Sequence, residues 1–313
     1  MKHHIRRIVF ATDFSASSSR TLHIALTWAN MCDAAIDIVH VLSVLHEVDL
    51  DSTVANLYIQ EQKKAAQAKL ASLVLEAKKT LSDVQSHLLA GSQADQITQF
   101  ALSSQADLIV TGTHGWTGFD RVMMGSVAER VIHQAPCPVL SVRDISNMET
   151  QHMTAADVTP RHILLPVDFS DCSLDAYEYV DNLEKHVDAS ITLMHVLEPL
   201  SYSLDFTLSH PVEDRQHREH VTQRITQLTE AMTRQGLTAN YLIKTKPIPE
   251  AIVQSAKDVG ADLIVMGTHG RQGLRRLIMG SVTTAVLRHS SIPVMTVKSP
   301  KFSHEAQTAH SPG

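Results

Sequence analysis

The stretch Asp262–Ser281, DLIVMGTHGRQGLRRLIMGS, decides how the rest of this 313-residue chain is interpreted. Its apolar run, Leu263–Met266, leads into glycines, which is typical of a buried parallel strand that ends in a loop. The segment from Gly280, GSVTTAVLRHS, predicts the start of a helix. A strand, a glycine loop and a helix N-terminus together form a site for an anion, and phosphate is the anion that fits best.

The same stretch occurs 155 positions earlier, as DLIVTGTHGWTGFDRVMMGS at Asp107–Ser126. The offset aligns three further pairs of segments: Ile8–Ser15 with Ile163–Ser170, His40–Leu42 with His195–Leu197, and Pro138-Val139 with Pro293-Val294. Four separated segments in register identify an internal duplication. We therefore expect one domain at residues 1–146, a polar linker at 147–160, a second domain at 161–299 and a tail at 300–313.

Each copy alternates short apolar strands with helical segments. In the first copy the predicted strands are Ile8–Thr12, Ala35–Leu42, Val84–Leu89, Asp107–Thr111 and Val139–Arg143. A long helix is predicted at residues 56–81, and its counterpart in the second copy at about His217–Gln235. Because strands that alternate with helices are joined by right-handed crossovers, the fold class is α/β, with a three-layer α/β/α sandwich in each copy.

Composition excludes several classes of protein. The net charge of −6 disfavours a general nucleic-acid binder, which needs basic groups to contact phosphates. The three cysteines, Cys32, Cys137 and Cys172, show no CxxC spacing and indicate a reducing compartment rather than a disulfide framework. The sequence shows neither a signal peptide nor an apolar run of the ~18 residues that span a bilayer, so we expect a cytoplasmic protein without membrane association. The histidines show no HExxH or similar pattern, so no metal site is predicted.

Two aspartates and two valines lie at the carboxyl ends of predicted strands, at one edge of the sheet in each copy. Doubly wound sheets bind ligands beyond the carboxyl ends of their strands, near the point where strand order reverses. Asp13 and Asp168 follow the first strand of each copy, and Val41 and Val196 close the second. A carboxylate there suits a ribose or base donor, and backbone groups at the second strand can contact a base edge. The two aspartates are also candidates for helix caps, which is compatible with a ligand role.

The glycine loops follow the fourth strands with the spacing G-x-x-G, nine residues, then G-S. These are Gly112, Gly115 and Gly125-Ser126 in the first copy, and Gly267, Gly270 and Gly280-Ser281 in the second. Both serines are placed to cap a helix and to donate a hydroxyl to a phosphate oxygen. One such loop alone is compatible with a simple turn, whereas two loops together with two aspartates favour a nucleotide site in each copy.

The spacing differs from the nucleotide motifs that accompany fast phosphoryl transfer. It matches neither the Walker pattern nor GxGxxG, and no lysine stands where it could brace a γ-phosphate. Hydrolysis also requires a positioned base and charge stabilisation, and the repeat contains no acid placed for that purpose. We therefore predict no catalytic residues, and little or no turnover.

With these motifs the chain resembles the universal stress protein family, in its tandem two-domain form. The matching residues are the strand ends VFATDFS and LLPVDFS, the HV pairs, the DLIV-x-GTHG segments, the spaced glycines with GSV, and the closing P-V strands. The resemblance covers nearly the whole chain except the linker, the tail and residues 43–55 and 198–216. It implies a five-stranded parallel sheet in each domain, of a Rossmann-like, adenine nucleotide alpha hydrolase-like type, and ATP binding in members that keep the glycines.

The resemblance also implies roles for individual residues. Asp13 and Val41 in the first copy, and Asp168 and Val196 in the second, would hold adenosine. The phosphates of ATP, ADP or AMP, with or without Mg²⁺, would be held by Gly112, Gly115, Gly125, Ser126 and Val127, and by Gly267, Gly270, Gly280, Ser281 and Val282. Single-domain family members pair through their last strands, so the resemblance implies that Val139–Arg143 and Val294–Lys298 pair within one chain, while further homodimerisation stays open.

Three function hypotheses follow. The leading one is a stress-response regulatory protein that binds ATP or AMP with little or no turnover. The alternatives are a slow ATPase and a scaffold whose pockets are empty or take another ligand. Adenylate-transfer enzymes of related fold carry SGGxDS or HIGH/KMSKS signatures, which are absent from this sequence. Trp116 in the first loop stands opposite Arg271 in the second, so the second site is predicted to be better suited to a triphosphate.

Overall fold

The structure is a computed structural model that describes residues 5–43, 53–113, 124–143, 159–183, 189–197, 211–245, 247–269 and 279–298. The chain separates into two compact units, Met1–Thr159 and Pro160–Gly313. Within the described ranges, no helix combines the length and the apolar character needed to cross a membrane.

The first unit alternates strands and helices along its whole length. Its elements are β1 (Arg7–Ala11), α1 (Ala16–Cys32), β2 (Ala35–Leu42), α2 (Thr53–Ala77), β3 (Val84–Ala90), α3 (Gln93–Ser103), β4 (Leu108–Gly112), α4 (Ser126–Gln134) and β5 (Val139–Val142). All four strand pairs are parallel, and they give the order β3-β2-β1-β4-β5. The order reverses beside β1, where β2 and β4 flank the first strand.

The second unit repeats this arrangement. Its elements are β6 (His162–Pro166), α5 (Asp171–Leu183), β7 (Ser190–Val196), α6 (Pro211–Arg234), β8 (Ala239–Lys244), α7 (Ile248–Asp258), β9 (Leu263–Gly267), α8 (Ser281–His289) and β10 (Val294–Val297). The parallel order is β8-β7-β6-β9-β10. The predicted α/β class, with a five-stranded parallel sheet in each copy, is confirmed.

Helices cover both faces of each sheet, which explains why the central strands are continuous apolar runs. Ile8, Val9 and Phe10 of β1 are fully buried, and so are Ile163, Leu164 and Leu165 of β6. Helix α1 packs on β1, β2 and β4, whereas α3 packs on β2, β3 and α4. A parallel strand buried on both faces shows no alternation of polar residues, so the core lies in the sheet and on both sides of it.

The long helices differ from their predicted bounds. Helix α6 begins at Pro211, six residues before the predicted start. Proline is favoured at the first helical position, because an amide N–H at that position has no acceptor within the helix and its absence costs nothing. Helix α2 begins at Thr53 and ends at Ala77 rather than near residue 81. After Ala77 the amides of Lys79 and Thr80 donate to carbonyls three residues back instead of four, so the last turn tightens and leaves α-helical geometry.

Candidate functional site

Asp13 is held in a fixed orientation just beyond the carboxyl end of β1. Its Oδ1 accepts hydrogen bonds from the Ser15 amide (2.9 Å), the Ser15 hydroxyl (2.6 Å) and the Ser18 hydroxyl (2.9 Å). The bond to the amide two residues ahead forms a turn that precedes α1, so Asp13 is not the N-cap of this helix. Ser15 occupies the N-cap position, but its hydroxyl donates to Asp13 and does not cap the helix backbone.

Asp168 has the same arrangement beyond β6. Its Oδ1 accepts the Ser170 amide (2.9 Å) and the Ser170 hydroxyl (2.5 Å). Here the serine also caps its helix, because the Ser173 amide donates to the Ser170 hydroxyl oxygen at 3.4 Å. Ser173 is the counterpart of Ser18, yet its hydroxyl donates to the Ser170 carbonyl instead of the aspartate. Both aspartates are therefore oriented by the start of the following helix, through different serine contacts.

The residue after each aspartate is a phenylalanine in the left-handed backbone region. Phe14 has φ of 62° and Phe169 has φ of 63°. A bulky side chain rarely adopts this conformation, which costs on the order of 1–3 kcal/mol and persists only where neighbouring groups hold it. Because the two units share it at matched positions, the strained turn is a built feature of this edge of the sheet.

The histidines of the two HV pairs connect the second strand of each unit to the first. Nδ1 of His40 lies 2.8 Å from the Thr12 carbonyl oxygen, and Nδ1 of His195 lies 2.7 Å from that of Val167. A carbonyl only accepts, so Nδ1 carries the proton. Burial lowers the pKa of His40, while the Thr12 carbonyl and the Asp13 carboxylate act in the opposite direction. The ring is therefore neutral at pH 7.

Each phenylalanine ring contacts this histidine and a cation from the long helix. The ring centroids of Phe14 and His40 are 4.1 Å apart, and the Lys69 ammonium lies 5.3 Å from the Phe14 centroid. In the second unit, the Phe169 and His195 centroids are 4.9 Å apart, and the guanidinium carbon of Arg224 lies 4.1 Å from the Phe169 centroid. We call each set of three side chains the His-Phe-cation stack. Sequence reasoning missed it, although the offset of 155 residues pairs Lys69 with Arg224.

Val41 and Val196 lie at the carboxyl ends of β2 and β7, beside the strands that lead to the aspartates. Val41 pairs with Leu89 of β3 in the parallel register, and Val196 pairs with Lys244 of β8. The Val41 side chain is buried and that of Val196 is half-buried. Their contact with a base stays a prediction.

The glycine loops leave the sheet beside the same edge. Gly112 is the last residue of β4, and Gly267 is the last residue of β9. The Gly125 amide donates to the Thr113 carbonyl at 2.7 Å, and the Gly280 amide donates to the Thr268 carbonyl at 2.9 Å. These bonds close each loop at its base. Gly115, Gly270, Trp116 and Arg271 lie outside the described residues.

The helices after the loops begin one residue earlier than a serine cap requires. Gly125 and Gly280 occupy the N-cap positions in extended conformations, and Ser126 and Ser281 are the first helical residues. The predicted capping by these serines is therefore wrong, because the glycines already supply the extended backbone that a cap needs. Both serines are exposed, and Val127 and Val282, which follow them, are half-buried.

These helix starts present amide groups to the carboxyl edge. The first intrahelical bond of α4 runs from the Glu129 amide to the Gly125 carbonyl, and that of α8 from the Thr284 amide to the Gly280 carbonyl, both at 3.0 Å. The amides of the three residues before each donor have no acceptor within the helix. Such amides, at the positive end of the helix dipole, can hold phosphate oxygens.

Gly267, which was predicted to hold a phosphate group, is also needed for close packing between β9 and α5. The residue is buried, and a Cβ atom there would lie 2.7 Å from the Cys172 carbonyl oxygen, in the first turn of α5. The absence of a side chain therefore lets the end of β9 approach the helix whose start orients Asp168. The Thr283 hydroxyl donates to the Gly267 carbonyl at 2.9 Å and ties α8 to the same point.

In each unit the described candidate residues lie at one edge of the sheet. The aspartate follows the central strand, the valine ends the neighbour on one side, and the glycine ends the neighbour on the other. The edge therefore offers a fixed carboxylate on one side and helix amides on the other, at the point of strand-order reversal.

Comparison with known proteins identifies the family. The model of the universal stress protein family matches residues 4–143 and again residues 159–298. A universal stress protein of Methanocaldococcus jannaschii is 37% identical over 139 residues, which cover 44% of this chain and 82% of that protein. One of Mycolicibacterium smegmatis is 23% identical over 300 residues, or 93% of this chain and 96% of the relative.

The similarity extends to solved structures. The crystal structure of a universal stress protein from Archaeoglobus fulgidus superposes with a TM-score of 0.71 at 21% identity, and covers 95% of this chain and 97% of that one. At this identity the match supports the fold. Together with the two family matches, it shows that the chain belongs to the universal stress protein family, with two such domains in tandem.

Proposed function

We propose that each unit binds an adenine nucleotide and that the protein is a stress-response regulator with little or no catalytic turnover. The observation that carries the proposal is the pairing, in both units, of an oriented carboxylate after the first strand with a helix N-terminus after the fourth. The two lie on either side of the strand-order reversal, where open α/β sheets bind ligands.

The aspartates form the adenosine half of the proposed site. A carboxylate that is already oriented can accept hydrogen bonds from ribose hydroxyls without first becoming ordered. The serine contacts hold Asp13 and Asp168 in this way before a ligand arrives. The main chain at Val41 and Val196 lies at the neighbouring strand ends and would contact the adenine edge.

The glycine loops and the helix starts form the phosphate half. Amides of Ser126, Val127 and the next residue in the first unit, and of Ser281, Val282 and the next residue in the second, would donate to phosphate oxygens. The exposed serine hydroxyls would add a further donor. ATP would bring its Mg²⁺ with the phosphates, and ADP or AMP would use the same amides with fewer contacts.

The two sites are proposed to differ in strength. The second unit has the guanidinium of Arg224 at the position where the first has the ammonium of Lys69. It also has Thr283, whose hydroxyl donates to the Gly267 carbonyl, whereas the first unit has an alanine at that position. The loop arginine Arg271 adds positive charge to the second copy in sequence. We propose that the second site binds a triphosphate more tightly than the first.

The test is to purify the protein, denature it and chromatograph what it releases. Released ATP, ADP or AMP supports the proposal, as does a rise in melting temperature on addition of Mg-ATP. If no nucleotide is released and neither Mg-ATP nor AMP raises the melting temperature, the proposal is wrong and a scaffold role takes its place. Steady hydrolysis above ~1 s⁻¹, the low end of ordinary enzymes, would show an ATPase instead.

A further inference from the structure

The His-Phe-cation stack connects the long helix of each unit to the residue beside the proposed ribose carboxylate. Phe14 lies between Asp13 and Ser15 in sequence, and Ser15 donates two hydrogen bonds to Asp13. If the Phe14 backbone left the left-handed region, the direction of the chain between these residues would change and the bonds would be lost. Whatever holds Phe14 in place therefore also holds the carboxylate.

Two neighbours contact the Phe14 ring. His40 is itself fixed by its bond to the Thr12 carbonyl, so it contacts the ring as part of the sheet. Lys69 comes from the long helix α2, which packs on β2 and β3. In the second unit, His195 and Arg224 of α6 hold Phe169 in the same way. The same three residue roles recur at an offset of 155 residues, so a chance surface contact is a poor explanation.

We propose that Lys69 and Arg224 are positioning residues of the two nucleotide sites, acting through Phe14 and Phe169 on the carboxylates of Asp13 and Asp168. This inference rests on the proposed nucleotide function. The cation attracts the face of the aromatic ring, and the attraction keeps the strained turn in the conformation that presents the carboxylate. The long helix is thereby coupled to ligand binding, although it supplies none of the proposed ligand contacts.

The two stacks differ in strength. The Arg224 guanidinium is planar and lies 4.1 Å from its ring centroid, whereas the Lys69 ammonium is a compact ion 5.3 Å away. A planar guanidinium close to the ring face gives the stronger interaction. Removal of the cation is therefore expected to weaken binding more in the second unit than in the first.

The alternative is that both cations are only part of a solvated helix face. The chain offers matched controls for this alternative, because Lys63 and Arg218 lie six positions before Lys69 and Arg224 and are again related by 155 residues. Both are exposed, and six residues along a helix turn the side chain about 120° away from the stack. A change at these positions removes a similar charge from the same helix without contact with phenylalanine.

The experiment measures Mg-ATP binding by calorimetry to the full chain. The double variant Lys69→Met, Arg224→Met keeps an unbranched apolar stem and removes both cations, and it is expected to bind about two- to fivefold more weakly. Lys63→Met, Arg218→Met is expected to bind as the unchanged protein does. The exchanged variant Lys69→Arg, Arg224→Lys keeps both cations and should restore affinity to within about twofold. Melting temperatures are recorded for all variants.

The outcomes separate this inference from the proposed function. If the unchanged protein binds Mg-ATP and the methionine variant binds equally tightly, the inference is wrong and the nucleotide function stands. If the exchanged variant binds as weakly as the methionine variant, packing rather than charge is responsible and the inference also fails. If the unchanged protein binds no nucleotide, both fail together.

A second readout needs no ligand and applies to single variants in case the double variant does not fold. Besides burial, the positive charge of Lys69 lowers the pKa of His40, so Lys69→Met should raise that pKa in an NMR titration, and Lys63→Met should not. An unchanged His40 pKa in Lys69→Met would show that the lysine does not act on the stack, which contradicts the proposal.

Discussion

A methyl group at Gly267 should disturb both the stability of the second unit and its proposed site. In Gly267→Ala the new Cβ would lie 2.7 Å from the Cys172 carbonyl oxygen, 2.8 Å from its carbonyl carbon and 3.0 Å from its Cβ. Ordinary contact begins at 3.4 Å, so the first turn of α5 would have to move by about 0.7 Å. All three contacts involve the backbone or Cβ of one residue, and no flexible side-chain end can turn aside.

The expected cost follows from overpacking of a close contact, which is about 1–3 kcal/mol. In a domain of this size each kcal/mol lowers the melting temperature by roughly 2–4 °C. Displacement of the α5 start also moves Ser170, which orients Asp168, so nucleotide binding by the second unit should weaken as well.

Differential scanning calorimetry measures the effect, with Gly125→Ala as the comparison. Among the described residues, a methyl group at Gly125 meets only the Thr113 carbonyl, with its oxygen at 3.1 Å and its carbon at 3.9 Å, so it should cost less than Gly267→Ala. A melting temperature for Gly267→Ala equal to that of the unchanged protein would show that this close contact does not limit stability. It would mean that β9 and α5 can separate without loss.

Two further predictions concern the first unit. Asp37 is almost fully buried between Arg7 and His87, with both contacts at 2.8 Å, and the matched residue in the second unit is Thr192. Asp37→Ala should lower the free energy of unfolding by about 1–3 kcal/mol, as measured by urea denaturation. This loss is smaller than that for breaking a fully buried ion pair, because Arg7 and His87 are both partly exposed. An unchanged urea midpoint would contradict this prediction. Burial lowers the pKa of His40, so the unfolded chain binds this proton more tightly and stability should fall as pH decreases below about 6.5. The urea midpoint should decrease from pH 7.5 to pH 5.5, and the decrease should be smaller in His40→Gln than in the unchanged protein. An equal decrease in both proteins would show that His40 is not the group responsible.

The duplication made most of the fold predictable from the sequence. The offset of 155 residues identified two copies, and the apolar runs before Gly112 and Gly267 were correctly predicted as buried parallel strands. Such strands need helices on both faces, so the layer order follows from local pattern alone. The bounds of the strands agree with the structure to within about one residue, which is the ordinary difference between definitions.

The candidate site was predictable as a set of positions but not in its local geometry. Whether Gly125 or Ser126 takes the N-cap depends on backbone angles that neither residue type fixes. The left-handed turn at Phe14 runs against the preference of a bulky residue, and tertiary contacts with His40 and Lys69 maintain it. Propensity describes a residue alone, so it cannot show a conformation imposed by groups that are distant in sequence.

The proposed function requires that each unit holds an adenine nucleotide against an oriented aspartate. The test is isothermal titration of Mg-ATP into the nucleotide-free full chain, beside Asp13→Asn, Asp168→Asn and the double variant. Asparagine keeps the oxygen that accepts the serine bonds and removes the charge, so the turn should survive while each site loses about 1.5–3 kcal/mol, or roughly 10- to 150-fold in affinity. We expect two sites per chain, one weakened in each single variant and both in the double variant. Equal binding by the unchanged protein and the double variant would contradict it.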